Sequence, residues 1–157
     1  VMVSLDVPTD LKSKYNFVPG QYLDFSISID GKEQRRSYSI CSGKNETLSV
    51  AIKKVEKGIV STWFNEVAQE QEAILTSLPQ GSFTIEKDVK TIVSFAAGSG
   101  ITPIMSIAKD IETTDATLKL FYGNKKQAST LFKSANFTPS NFAWCTSGMY
   151  RWYSALV

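Results

Sequence analysis

The stretch that decides the fold is RRSYSICSG, residues 35–43. Small polar and larger side chains alternate along it, which predicts a β-strand because successive strand residues face opposite sides of a sheet. At its end, Ile40 and Cys41 are expected to be buried. A strand that presents Arg36, Tyr38 and hydroxyl groups together suits an anionic, aromatic ligand, but an ordinary half-exposed strand has the same pattern. The rest of the chain has to separate these two interpretations.

The neighbouring segments carry the signals of a small antiparallel barrel. Pro19-Gly20 is typical of a type II turn, and residues 21–29 alternate as a strand does. Asp30-Gly31 then predicts a tight hairpin that leads into the RRSYSIC strand. Further strands are expected at residues 48–55, 73–78 and 82–85.

One helix interrupts these strands. Its apolar residues recur at helical spacing and predict one buried stripe, formed by Val60, Trp63, Phe64, Val67 and Ala68. Gly58 and Ser61 lie at its first turn. Free N–H groups and the helix dipole make such an end suitable for phosphate, and glycine lets the phosphate approach. A capped surface helix without a ligand fits the same residues.

The pattern changes after the charged connector at residues 86–90, where we expect a domain boundary. Residues 91–95 form a continuous apolar strand of the kind that is buried on both faces in a parallel sheet. A glycine turn follows. Thr102 is the expected N-cap and Pro103 the first residue of a helix that ends near Ile111.

A second strand at residues 117–122, ended by Gly123-Asn124, completes a strand–helix–strand unit. In open parallel sheets, ligands bind at the carboxyl ends of the strands, where Gly98 and Gly100 lie here. These glycines do not form the G-x-G-x-x-G fingerprint, because Pro103 occupies its last position. On its own, this turn is a weak signal.

Composition excludes several classes of function. The net charge of +2 and the dispersed lysines argue against nucleic acid. Residues 91–108 carry no charge, but their glycines, proline and hydroxyl groups argue against a membrane helix. There is no histidine, and Cys41 and Cys145 are far apart, so we expect no metal or iron–sulfur site and no histidine-based catalysis.

Without a visible signal peptide or disulfide framework, cytoplasm is the expected compartment. Redox chemistry would need an organic cofactor.

Three motifs occur together in a specific order. They are R-x-Y-S at residues 36–39, G-x-x-S at 58–61 and FAAGSGITPIMSI at 95–107. Over residues 3–132 the chain resembles the ferredoxin–NADP reductase superfamily, and within it the reductase components of phenylacetyl-CoA epoxidases and similar bacterial oxygenases. The resemblance implies an antiparallel FAD-binding β-barrel at residues 1–87, followed by a partial parallel α/β nicotinamide-binding domain at 88–157. Residues 134–157 depart from the family pattern.

The resemblance also implies roles for individual residues. Arg36 would pair with the FAD pyrophosphate, as suits a planar, permanently charged group. Tyr38 would lie against the flavin ring, and Ser39 near the ring nitrogen that receives hydride. Thr102 would lie where nicotinamide meets flavin, so Ser39 and Thr102 are the predicted catalytic residues. The other predicted cofactor-binding residues are Ser37, Ile52, Lys53, Gly58, Val60, Ser61, Gly98, Gly100, Asn124 and Lys125.

Three functions follow as alternatives. The first is an NAD(P)H-dependent reductase that passes electrons through FAD to an iron–sulfur protein or oxygenase component. The second is a flavin-binding chain with an incomplete nicotinamide half, and the third is a barrel that binds a small ligand or protein without redox chemistry. Because no acid follows the second strand near Asn124 and Lys125, NADPH is favoured over NADH. Two solvated loop lysines would explain the same residues.

Overall fold

The computed structural model describes residues 1–70, 72–125 and 130–132, and the backbone of 151–153. Its first half contains two antiparallel sheets, with strand orders β1-β4 and β3-β2-β5. An isolated bridge between Ile40 and Val50 connects them. The strands are β1 (Met2–Ser4), β2 (Tyr22–Ile29), β3 (Lys32–Ser39), β4 (Ser49–Ala51) and β5 (Leu75–Thr76).

The predicted turns on either side of β2 are present. Gly20 has φ of +101°, and the Gln21 N–H donates to the Val18 carbonyl at 3.1 Å, as a type II turn requires. A Cβ on Gly20 would lie 1.7 Å from the Phe83 carbonyl oxygen, so glycine is also required sterically. Asp30 and Gly31 both have positive φ, which is the type I′ geometry of a two-residue hairpin.

Alternation along β2 builds the core of this half. Leu23, Phe25 and Ile27 are buried and pack with Ile40 and Val50. Helix α1 (Ile59–Glu66) closes the same core through Val60 and Phe64. The predicted stripe extends two residues too far, because α1 ends at Glu66 and leaves Val67 exposed.

Two strand predictions are corrected in length. The strand expected at 48–55 stops at Ala51, because the chain turns into α1: Ser61 Oγ accepts from the Val55 N–H, and the Gly58 N–H donates to the Val55 carbonyl. The strand expected at 73–78 is reduced to β5, and residues 82–85 form no strand.

The second half is a strand–helix–strand unit. Strand β6 (Thr91–Ala97) pairs in parallel with β7 (Thr117–Asn124), and α2 (Ile101–Ile111) connects them after a short 3-10 turn at Gly98–Gly100. A further strand, β8 (Arg151–Tyr153), pairs antiparallel with β7. The segment 142–149, which resembles a final family strand, lies outside the described residues.

Two predictions about this unit are wrong. Gly100, not Thr102, precedes the helix, and Thr102 lies within its first turn with Oγ1 donating to the Ser99 carbonyl at 3.0 Å. Strand β6 is buried on one face only, because α2 covers one side while Val93 and Phe95 are 53% and 69% exposed on the other.

Each half has its own hydrophobic cluster, and the second is built on α2, β6 and β7. Cys41 and Ala51 from the first half extend into the second cluster. The predicted fold class, an antiparallel barrel followed by a parallel α/β unit, is confirmed. Among the described residues, none of the helices has the length and apolar character needed to cross a membrane.

Candidate functional site

The site is built first on one face of β3. Arg36 and Tyr38 are two residues apart on the strand and therefore share a face. The Tyr38 ring makes edge contacts with Phe25 of β2 at 5.5 Å and with Phe64 of α1 at 5.9 Å between ring centroids. These contacts hold a half-buried aromatic ring between the hairpin and the helix.

The positive charge of Arg36 affects the pKa of the Tyr38 hydroxyl. Burial raises the pKa of Tyr38, and the neighbouring Arg36 guanidinium partly opposes that rise. Arg36 is exposed, and its Nη1 donates to the Arg35 carbonyl at 2.6 Å. A cation thus lies beside an aromatic surface, an arrangement suited to a ligand with a phosphate and a planar ring.

The other face of β3 is occupied by a polar network around Asp24. This carboxylate accepts hydrogen bonds from Arg35 at 3.0 Å, from Gln80 at 2.9 Å and from Ser37. The Ser37 hydrogen bond is the main cause that lowers the pKa of Asp24. Because its hydroxyl faces away from Arg36 and Tyr38, Ser37 has only its backbone available for a ligand on their face.

Ser39 ends β3 opposite Tyr22 and is half-buried. Its hydroxyl forms no hydrogen bond within the described residues, so it remains available as a donor. The predicted catalytic role of Ser39 stays a prediction.

The first turn of α1 provides unpaired N–H groups. Within the described part of the chain, the N–H groups of Ile59, Val60 and Ser61 have no hydrogen-bond partner. The Ser61 hydroxyl donates to the Gly58 carbonyl at 3.2 Å, which holds the turn together. A Cβ on Gly58 would lie 2.5 Å from Ser61 Oγ, so a larger residue here would displace the Ser61 side chain.

Val60, Ile52 and Lys53 differ in what they can offer a ligand. The Val60 side chain is buried, which leaves its N–H as the available group. Ile52 is fully buried, and its backbone N–H and carbonyl both bond to Val1, at 2.8 and 3.0 Å. These contacts lend no support to cofactor binding by the Ile52 backbone. Lys53 is half-buried beside it and forms no ion pair among the described residues.

A second part of the site lies at the carboxyl ends of β6 and β7. A Cβ on Gly98 or Gly100 would meet no atom of the described residues within 4 Å, so these residues leave the space above this turn open. Gly98 has φ of +54°, and its carbonyl accepts from the Tyr122 hydroxyl at 2.8 Å. Thr102, in the first turn of α2 that follows this glycine turn, is buried.

Asn124 and Lys125 follow at the end of β7. Lys125 is exposed, but Asn124 is only 4% exposed. Burial raises the pKa of Tyr122, and the nearby Asn124 amide acts in the opposite direction. Lys125, rather than Asn124, is therefore the side chain open to a bound nucleotide.

The comparisons with known proteins agree with this fold. Residues 2–85 match the model of the oxidoreductase FAD-binding domain family. The chain therefore belongs to the oxidoreductase FAD-binding domains, and its resemblance to the ferredoxin–NADP reductase superfamily is confirmed.

Three individual proteins show what this chain is similar to within the superfamily. The chain is 36% identical to a subunit of 1,2-phenylacetyl-CoA epoxidase from Escherichia coli (strain K12), over 86% of this chain and 40% of that protein. It is 27% identical to phthalate dioxygenase reductase, with a TM-score of 0.67 over 80% of this chain and 40% of that one. A ferredoxin–NADP reductase from Neisseria gonorrhoeae, solved with FAD and NADP, shares the fold at 22% identity and a TM-score of 0.72, over 90% and 58%. The chain thus spans less than half the length of the epoxidase protein that it matches.

Sequence reasoning did not assign two residues that shape the site. Phe64 supports the Tyr38 ring, and its position in the apolar stripe of the helix predicted burial but not this contact. Asp24 organises the opposite face of β3, and no local pattern identifies it because its partners come from β3 and from Gln80.

Proposed function

We propose that this chain binds FAD and takes part in electron transfer from NAD(P)H to an iron–sulfur protein or oxygenase component. The observation that carries the proposal is that Arg36 and the Tyr38 ring share one face of β3, and that Tyr38 contacts Phe64 of α1, the helix whose first-turn N–H groups have no partner among the described residues. A cation, an aromatic ring and a helix entrance match the phosphates and planar ring of a flavin dinucleotide.

Each residue group has a separate task in this proposal. Arg36 and the α1 N–H groups neutralise the pyrophosphate, and Tyr38 covers the flavin ring and excludes water from one side. Ser39 donates a hydrogen bond at the edge of the ring. Bound FAD would supply the redox chemistry, accepting a hydride and releasing its two electrons singly.

The glycine turn serves the nicotinamide nucleotide. The open space above Gly98 and Gly100 admits the dinucleotide, and Thr102 lies in the first turn of α2 at the same entrance. Transfer between two cofactors depends on alignment rather than on a titrating base, which is consistent with the absence of histidine. We further propose NADPH as the preferred nucleotide.

The two hydrophobic clusters correspond to two parts of the chain with different proposed roles. We propose that residues 1–87 bind FAD and that residues 88–157 contribute to nucleotide binding. The acceptor is proposed from relatives: phthalate dioxygenase reductase is described as a modular structure for electron transfer from pyridine nucleotides to [2Fe-2S]. Cytoplasm is the proposed compartment, and no interaction with nucleic acid is proposed, because the net charge is only +2.

Anaerobic mixing tests this function. The purified chain is loaded with FAD, freed of excess, and mixed with NADPH or NADH while flavin absorbance is followed. Rapid bleaching supports a reductase. Bound flavin that does not bleach supports a flavin-binding chain without nicotinamide turnover, and failure to retain any FAD refutes the assignment.

A further inference from the structure

The loop after β3 contacts α2 at several points. Ser106 Oγ donates to the Ser42 carbonyl at 2.6 Å, and both residues are buried. Lys109 pairs with Glu46 at 2.6 Å. We call this the loop–helix contact, formed by Ser42, Gly43, Lys44 and Glu46 on the loop and Ser106, Lys109 and Asp110 on α2.

The two backbones approach closely at this contact. A Cβ on Gly43 would lie 3.3 Å from Lys109 Cβ, which is tighter than ordinary van der Waals contact. Cys41, just before the loop, packs into the α2 cluster. The loop therefore has little room to shift along the helix.

This contact is near both halves of the proposed site. Ser42 is three residues beyond Ser39, which is about 10 Å of extended chain. Ser106 is one helical turn beyond Thr102, a rise of about 6 Å. Ser42 and Ser106 are therefore each separated by a short stretch of chain from one of the two predicted catalytic residues.

We propose that Ser106 is a positioning residue: its hydrogen bond to Ser42 fixes the separation between the flavin side at Ser39 and the nicotinamide side at Thr102. This inference rests on the proposed function. The bond is the best candidate within the contact because it is buried, whereas the ion pairs Lys109–Glu46 and Lys44–Asp110 are solvent-exposed and screened by salt.

The test compares Ser106→Ala with Thr113→Ala in the FAD-loaded chain. Thr113 is a matched control because its hydroxyl donates to the Asp110 carbonyl in an exposed turn after α2 and forms no other hydrogen bond with the described residues. In Ser106→Ala we expect the flavin reduction rate at saturating NADPH to fall about tenfold, since small misplacements of reacting groups have effects of this order or larger. FAD affinity should stay unchanged, and Thr113→Ala should behave as the parent chain.

A second variant covers the case in which Ser106→Ala does not fold. Gly43→Ala presses on Lys109 from the loop side while Ser106 stays intact, and we expect it to slow flavin reduction as well. A lowered melting temperature with a parental reduction rate in both variants would mean that the contact is only structural, and would overturn the inference alone. A parent chain that binds no FAD, or whose flavin NADPH does not bleach, would overturn the proposed function and this inference together.

Discussion

Arg35 and Arg36 are neighbours of identical chemistry with opposite surroundings. The Arg35 guanidinium is paired with Asp24 on one face of β3, while Arg36 stands beside Tyr38 on the other. Alternation of the strand assigns them to different tasks. One arginine is proposed to hold a ligand, and the other joins the network that includes Ser37 and Gln80.

This difference gives a matched pair of substitutions. Arg36→Ala should weaken FAD binding by about tenfold to a hundredfold, because hydrogen bonds to charged groups are worth about 1.5–3 kcal/mol. Arg35→Ala should leave FAD affinity unchanged, and both should keep the parental circular dichroism spectrum, because both side chains are exposed. Fluorescence titration with FAD measures the affinities. Equal losses in the two variants would contradict the assignment of faces.

Cys41 shows how burial controls reactivity at a single residue. Its thiol donates to the Ser49 carbonyl at 3.4 Å, and burial raises its pKa to about 11. The thiolate is the reactive form, so a raised pKa makes the folded thiol inert near neutral pH. Ionisation of the buried Cys41 thiol also opposes folding. The contribution of the protonated thiol to the free energy of unfolding is therefore full below the pKa of the unfolded thiol, and it is lost as pH rises through about 11.

We expect Cys41 in a Cys145→Ser background to react with a thiol reagent such as DTNB at pH 8 only after unfolding. The measurement is the labelling rate with and without denaturant. Labelling of the native chain at the rate of free cysteine would contradict the buried, protonated state.

At the scale of elements, the two α-helices of the described residues begin in turns with different steric properties. The entrance to α1 is closed tightly around Gly58, where a Cβ would meet Ser61 Oγ and Val55. The entrance to α2 is open with respect to the described part of the chain, since a Cβ on Gly100 meets none of its atoms within 4 Å. The first glycine is needed by the fold of the turn, and the second leaves space for a ligand.

The two glycines should therefore respond differently to alanine. Gly58→Ala should displace Ser61, lower the melting temperature and weaken FAD binding. Gly100→Ala should preserve stability and FAD affinity but raise the KM for NADPH, because its methyl group enters the open space. Thermal melting, FAD titration and steady-state kinetics separate these effects. A Gly100→Ala variant with parental KM would argue against nucleotide binding at this turn.

At the scale of the whole molecule, α2 covers one side of the parallel sheet, and no other described residue range forms a helix over the opposite side. Phe95 stacks on Phe121 at 4.8 Å on the face away from α2, and Phe95 is largely exposed. The carboxyl ends of β6 and β7 nevertheless meet at one edge, where Gly98 and Lys125 belong to the same proposed nucleotide site. Nucleotide preference is therefore a property of the assembled edge rather than of one segment.

We expect Lys125→Glu to shift preference from NADPH toward NADH, because a carboxylate repels the 2′-phosphate and accepts from a ribose hydroxyl. Efficiency with NADPH should fall about tenfold or more, as for a lost charged hydrogen bond. Lys119→Glu, an exposed change earlier on β7, is the control and should leave the preference unaltered. The preference is measured as the ratio of kcat/KM values. The proposed preference for NADPH would be contradicted if the parent chain had equal kcat/KM values with both nucleotides and Lys125→Glu left them equal.

The sequence by itself determined the features that depend on neighbouring residues. Pro19-Gly20 and Asp30-Gly31 set their turns through backbone conformation, and the alternation of residues 22–29 defined the buried side of β2. The R-x-Y-S and G-x-x-S motifs likewise identified Arg36 and Gly58 within the proposed flavin site.

Only the tertiary structure decided the features that depend on distant partners. The Ser37 hydroxyl donates to Asp24 of the neighbouring strand, a partner that the pattern of β3 alone does not identify. The start of α2 at Ile101 and the exposed face of β6 depend on how the helix packs. Ser106 bonds to a carbonyl 64 residues away, and no local pattern encodes a contact of that range. Turns and strand alternation are short-range steric effects, whereas a side-chain hydrogen bond exists only once the folded chain brings its two ends together.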